Sequence, residues 1–489
     1  MLRISGIALV FALFVATTGC SGGPGPGVNA AGTGFNPNDP NPNPDPPSTI
    51  SISPAGDTLR IGGQRQFSGF DRTVNQYDVT WSLEEGAAGG NVTTEGLYTA
   101  PSNTGTFHLI ATSIAKPSVS ATVPVKVVSV GFVSIGDMGV PRSGHTATLL
   151  VDGRVLIAGG TRDAAHSAEL FDPAADAFTP VSSSMVQVRT GHCASLLPDG
   201  KVLIAGGGDS NGNVFKTAEL FDPLTQRFSA TGDLNQAREN ATATLLSNGT
   251  VLIAGGQYSG GVLSSAELYD PTTGTFTPTG NMHLRRAQHT ATLLSSRKVL
   301  LIGTVSDTGN AEVFDPASGL FAATGSLIQP RTHHTATLLP NGTVLVLGGT
   351  QVMPPGGGGA APQPVSLDSA EIYDPAKGVF HTAGNLLVAR DSHSASLLPN
   401  GTVLVAGGYS HGFDGDAQPE WYTMFTAELF DPATSRSTMA ASLQADRAEH
   451  VVTLLNNTQM LVTGGITGFT CCDFKQPDTV TLHSAELYK

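Results

Sequence analysis

Between Arg142 and Lys489 the chain repeats one motif seven times, and a repeat of this length leaves few folds open to it. The motif runs Arg-x-x-His, a short run of small residues and leucines, a glycine turn, and Val-Leu-Ile/Val-Ala-Gly-Gly. A variable loop follows, then Ala-Glu-Leu-Phe/Tyr-Asp-Pro and a closing Phe. The arginines are Arg142, Arg189, Arg238, Arg286, Arg331, Arg390 and Arg447, at spacings of 47, 49, 48, 45, 59 and 57 residues. A period of about fifty residues, made of short β-branched runs and glycine turns, predicts a β-propeller with one four-stranded blade per repeat. In the first blade the strands are expected at 145–150 (a), 154–158 (b), 168–171 (c) and around Phe178 (d). Strand a is innermost, where blades converge on an axis, and Thr146-Ala147-Thr148 is suitably small.

The last repeat ends at Tyr488-Lys489, one strand short. The segment Phe132–Met138 matches Phe276–Met282 of the third repeat and is expected to supply the missing outer strand, closing the ring. Closure removes exposed sheet edges. The expected fold class is therefore all-β, a seven-bladed propeller over residues 130–489. With its Gly-Gly pairs (Gly159-Gly160, Gly206-Gly207, Gly255-Gly256, Gly348-Gly349, Gly407-Gly408, Gly464-Gly465) and spaced aromatics (Phe171/Phe178, Tyr269/Phe276), this region resembles the kelch family. It departs at Gly303-Thr304 and at Ser437, where a closing aromatic belongs. The resemblance implies a fold far more than an activity, because propellers host many activities.

Residues 1–19 read as an export signal: Arg3 precedes the apolar run Ile7–Ala16, which is too short to span a bilayer comfortably. Thr17-Thr18-Gly19-Cys20 resembles a bacterial lipobox, which implies lipid attachment at Cys20, and Ser21 after the cysteine implies the outer membrane. Residues 20–48 form a Gly-, then Asn/Pro/Asp-rich linker that cannot bury a core. Residues 49–129 show short alternating strands with turns between them, with Phe67, Val79, Trp81, Leu97, Tyr98, Phe107, Leu109 and Ile110 as candidate core. The run Gly96–Pro101, with Gly105-Thr106-Phe107 and Ala111-Thr112-Ser113, resembles bacterial Ig-like surface domains and implies a spacer.

A net charge of −14 with no basic stripe argues against a nucleic-acid partner. Only 13% of residues are charged, so a seven-fold recurrence of Arg and Glu (Glu169, Glu219, Glu267, Glu312, Glu371, Glu428, Glu486) is a heavy commitment. One active site has no use for seven copies, and a structural Arg–Glu pairing is the economical reading. The histidine recurs in six repeats (His145, His192, His289, His334, His393, His450), with Ala241 in the third. It reads as an inter-blade hydrogen bond, or as a ring of imidazoles open to a metal, with His333 and His334 the candidate ligands.

The same motif resembles that of galactose oxidase, a copper radical enzyme. The resemblance implies a ligand histidine at this position, preceded by a copper-binding tyrosine. Here the preceding residues are Gly144, Gly191, Gln288, His333, Ser392 and Glu449, none of them tyrosine. The cysteine such chemistry cross-links to tyrosine has no evident counterpart, Cys193 lying within a strand. No H-E-x-x-H or Walker motif occurs.

Three consecutive long loops break the symmetry: 350–367, 409–425 and 466–483. Binding residues collect on loops held by rigid strands, so the rim of blades five to seven is the expected site. Its candidates are Tyr409, His411, Asp414, Asp416, Trp421, Tyr422 and Phe469, with Arg331, Arg390 and Arg447 beneath. Asp414-Gly415-Asp416 is also a short calcium-type cluster, and the pairing of Cys193, Cys471 and Cys472 stays open. The resulting expectation is a monomeric, lipid-anchored surface protein that binds a protein or carbohydrate without catalysis. The alternatives are a copper oxidase of carbohydrates or alcohols and a purely structural envelope component.

Overall fold

The computed structural model describes residues 50–72, 74–128, 131–161, 166–303, 309–353, 363–413, 419–456, 458–470 and 479–489. The signal and linker segments, Cys20, Asp414, Asp416, Cys471 and Cys472 lie outside the described residues. The chain is all-β; the turn Gly86–Gly89 is the one helical element among the described residues, and no helix there is long and apolar enough to cross a membrane.

Seven four-stranded antiparallel sheets follow the repeats. In the first, strand a is Thr146–Leu149, strand b Val155–Ala158, strand c Ala168–Asp172 and strand d Ala177–Pro180, paired in that order. The a strands touch one another in cyclic order, from Thr146–Leu149 round to Val451–Leu454 and back, which is the architecture of a β-propeller. The sheet of the last repeat takes Val451–Leu454, Met460–Thr463 and Ala485–Tyr488 from its own segment. Its outer strand is Phe132–Ser134, with Phe132 opposite Tyr488 and their rings 5.0 Å apart.

Strand b explains the unbroken apolar run of each repeat. Val155, Leu156, Ile157 and Ala158 are all at most 1% exposed, because both faces of each sheet are covered by neighbours. Leu156 and Ala158 pack with Val202, Ile204 and Phe221 of the next sheet, whereas Val155 and Ile157 pack with Leu461 and Leu487 of the last. Each seam has such a cluster, so the core is divided among the seams. A fully buried Val, Leu or Ile contributes roughly 1.5–3 kcal/mol.

The Gly-Gly pair lets adjacent sheets approach. At Gly348 φ is +55°, and a Cβ there would lie 2.8 Å from His393 Cε1 and against the Arg390 carbonyl of the next repeat. Gly348→Ala is expected to cost roughly 2–4 kcal/mol through left-handed strain and overpacking. It should appear as a lower urea midpoint with an unchanged slope; a wild-type midpoint would show that the seam yields freely.

Before the ring, residues 50–128 build a separate small β unit. Asp57–Arg60, Ser120–Val128, Gly105–Ser113 and Val79–Leu83 form one sheet in that order, its first pair parallel. Phe67, Tyr98, Leu109, Ala111 and Val125 fill its core, with Trp81 partly buried against them. Tyr98, the largest fully buried aromatic there, donates its hydroxyl to the Gly89 carbonyl at 2.6 Å.

Candidate functional site

The seven arginines are inside the sheets. Each reaches the glutamate of its own repeat, from 2.6 Å (Arg447–Glu486) to 2.9 Å (Arg286–Glu312), with both side chains at most 4% exposed. One Nη1 donates to the carbonyl of the first Gly of the pair, as Arg331 to Gly348 at 2.7 Å. The glutamate also takes backbone N–H groups from the preceding repeat, as Glu371 does from Ile328 and Gln329. These networks bind one blade to the next. Arg331, Arg390 and Arg447, expected beneath the ligand, have their guanidiniums engaged by Glu371, Glu428 and Glu486, and of the three Arg331 also lines the cavity described below.

The histidines lie in the seams. His192 Nε2 shares a hydrogen bond with Thr146 Oγ1 of the preceding sheet at 2.9 Å, and His289–Thr242, His334–Thr290, His393–Thr335 and His450–Ser394 repeat it. Two exceptions follow the same logic. Val451 has no hydroxyl, so His145 bonds Thr463, the residue opposite Val451. In the third repeat Ala241 replaces the histidine, and the preceding sheet carries Cys193 where the hydroxyl would be. Burial pushes His145, His192, His289 and His393 down to about 3, so they are neutral. The inter-blade reading is the one the contacts support, and His334 is part of a seam.

The residue before each of these positions is left-handed. Gly144, Gly191, Asn240, Gln288, His333, Ser392 and Glu449 have φ between +50° and +61°. This turn aims several of their N–H groups at the preceding blade's carbonyl, as Gly191 to Gly144 (2.9 Å) and Ser392 to His333 (3.0 Å). Glycine adopts this conformation freely, whereas other residues are strained by about 1–2 kcal/mol. The first two repeats use glycine; the side chains of Gln288, His333, Ser392 and Glu449 gather on the other half of the mouth.

The long loops are ordered where described. Thr350–Met353 pairs with Gln363–Ser366, and Tyr409–Phe413 with Pro419–Thr423. Phe469–Thr470 from the last repeat adds to that second hairpin, opposite Tyr422 and Trp421. Thr423 and Thr467 both donate to Asp446, tying the sixth and seventh loops together.

Against this wall lies a cavity of about 450 Å3, lined by Gln288, His333, Asp391, Ser392, Tyr409, His411 and Glu449 among others. Asp391 Oδ2 meets His411 Nδ1 at 2.7 Å and accepts the Ser366 hydroxyl at 2.5 Å; Ser392 Oγ donates to Oδ1 at 3.1 Å. Ser366 Oγ in turn accepts the His411 backbone N–H at 2.8 Å. Burial pushes Asp391 up, but the hydrogen bonds from His411 and Ser366 outweigh it and hold the carboxyl low. Tyr409 donates to Glu449 Oε1 at 3.4 Å. Burial, reinforced by the nearby Asp391 charge, raises the Glu449 carboxyl; burial and Glu449 raise the Tyr409 hydroxyl. Trp421 stands edge-on to Tyr409 at 5.4 Å, and Tyr422 is 45% exposed beside it.

Residues 241–283 match the Kelch motif. They correspond to the third repeat, the one without the seam histidine. No curated protein matches the chain. Among solved structures, the chain is similar to one described as a novel fungal alcohol oxidase with catalytic diversity among the AA5 family, in complex with copper. The likeness has a TM-score of 0.57 at 17% identity and covers 73% of this chain and 76% of that one, which shows a shared fold.

The residues present do not fit a copper centre of the kind the galactose oxidase resemblance implies. The six seam imidazoles are turned to neighbouring hydroxyls, and no tyrosine precedes any of them. Cys193 is buried with its thiol against the Ala205 carbonyl. The one group of three or more metal-type donors brought within reach of each other among the described residues is Glu84, Glu85 and His108, in the small β unit before the ring. His333 and His334 are divided between the cavity and a seam, so they are no ligand pair.

Tyr409 and His411 are therefore in the cavity wall, with Trp421 packed against both rings, whereas Tyr422 is outside that lining. Asp391, Ser366 and Glu449 were missed. Asp391 and Glu449 occupy the two motif positions after the arginine, where the other repeats carry Ser143, Thr190, Glu239, Ala287, Thr332 and Ala448, and Gly144, Gly191, Asn240, Gln288, His333 and Ser392.

Proposed function

We propose that the chain is an exported seven-bladed kelch-type propeller that binds a carbohydrate in the cavity of blades five to seven. An Ig-like spacer (49–129) and a lipid on Cys20 hold it at the outer membrane. The cavity itself carries this reading. Its wall combines the Tyr409 ring, braced by Trp421, with closely set acceptors and donors (Asp391, His333, His411, Glu449), the mixture that suits a sugar's apolar face and hydroxyl edge. A volume of about 450 Å3 is ample for one or two sugar rings.

A glycan array probed with the purified protein tests this. Trp421→Ala removes the ring that braces Tyr409 and is expected to weaken binding at least tenfold, with the thermal midpoint little changed. Equal binding by wild type and Trp421→Ala would place the ligand elsewhere, and an array on which nothing binds would remove the carbohydrate reading.

A further inference from the structure

The cavity holds more than a binding surface needs. An ionised carboxylate only accepts hydrogen bonds. Asp391 therefore fixes the proton of His411 on Nδ1, leaving a lone pair on Nε2, which has no protein partner among the described residues. Both Asp391 oxygens are themselves held, by Ser366 and Ser392. An imidazole oriented by a buried carboxylate, itself positioned by further groups, is the arrangement of a general base.

Glu449 lines the same cavity and is its chemical opposite. Its environment favours the protonated acid, whereas that of Asp391 favours the anion. Two carboxyls driven apart in this way mark different roles in proton transfer. Glu449 also stands at a φ of +55°, where the first two repeats place Gly144 and Gly191. From there its carboxyl enters the cavity and accepts the Tyr409 hydroxyl.

We propose that this cavity hydrolyses a glycosidic bond, with His411 as general base and Glu449 as general acid. His411 Nε2 takes a proton from a water as the water oxygen bonds to the anomeric carbon. The bond from that carbon to the leaving oxygen breaks, its electron pair going to that oxygen, which receives the Glu449 proton. Water is consumed, two hydroxyl-bearing sugars are released, and solvent returns the protons. Asp391 and Ser366 are positioning residues. The substrate class is a neutral oligosaccharide, because Arg331, the one arginine or lysine of the described lining, is engaged by Glu371 and leaves no cation for a uronate.

The inference rests on the carbohydrate reading, and the experiment separates the two. Wild-type protein is incubated with neutral oligosaccharides bound on the array and with 2,4-dinitrophenyl glycosides of neutral hexoses and pentoses, and release is measured. Release of new reducing ends is expected. His411→Ala should lower turnover of both substrates by about 10²–10⁴-fold. Glu449→Gln should show a comparable loss on oligosaccharides but a much smaller one on dinitrophenyl glycosides, whose leaving group departs without a proton. Oligosaccharides bound but never cleaved would overturn the inference and leave the binding reading standing. Equal losses of Glu449→Gln on both substrates would overturn the acid role, and the absence of both binding and cleavage would overturn both.

Discussion

Acidification from pH 7 to roughly 4.5 is expected to unfold the ring cooperatively. The cause is the set of seam histidines. In an unfolded chain an imidazole binds its proton below about 6.5, whereas His145, His192, His289 and His393 in their seams wait until about 3. Their folded values are depressed, so the unfolded chain binds more protons throughout this window. The stability they contribute is complete above about 6.5 and is withdrawn as pH falls toward 3. At pH 4.5 each accounts for about 3 kcal/mol and the four for on the order of 10, comparable to the 5–15 kcal/mol that holds a domain together. His334 and His450, also held well below the ordinary value, act in the same direction. Urea midpoints measured from pH 8 to 4 test this; a midpoint that stays level down to pH 4.5 would refute it. The third repeat suggests a control. His289→Ala with Thr242→Cys copies the natural Ala241–Cys193 seam and should reduce proton uptake on unfolding by about one.

Breaking a single Arg–Glu pair is expected to cost about 3–5 kcal/mol, since the partner left behind is a buried, uncompensated charge. Glu428 is the clearest case: it accepts from Arg390, from the Leu387 and Val388 backbone and from Ser437. Ser437 stands where the other repeats place a closing aromatic, so in this blade the missing ring becomes a fourth donor to the glutamate. Glu428→Leu and Arg390→Met should each lower the urea midpoint strongly. The double variant should lose clearly less than the sum, because neither charge is then stranded. Additive losses, or single losses below about 1 kcal/mol, would show that the pair is not coupled in this way.

The scaffold was legible because it repeats. Arg142 and Glu169 have six counterparts each, and the segment 132–138 betrayed its place as an outer strand by matching 276–282. The seam bond was only half legible. Thr146 read as a small inner-strand residue, and its role toward His192 appears only when two sheets stand side by side. The Ala241–Cys193 exchange, present in the sequence, was the available clue. The cavity was legible as a region and not as a chemistry. Ser366, Asp391 and His411 come from two loops of unequal length and a motif position between them, and what joins them is hairpin register across a seam. Neither periodicity nor spacing reports such a register. Glu449 was noticed for what it was not, a tyrosine, rather than for the carboxyl it brings into the cavity.

The pairing of Phe132 with Tyr488 sets an order of events. Every other four-stranded sheet of the ring is assembled from one contiguous stretch, so it can collapse as its own residues become available. The final sheet joins strands separated by almost the whole ring, and such distant pairings form late and slowly. Until they meet, an otherwise finished array presents the bare edge of Ala485–Tyr488, the kind of edge to which a second chain adds its own strand. The interval before that edge is covered is when a nascent molecule of this protein is most open to misassembly.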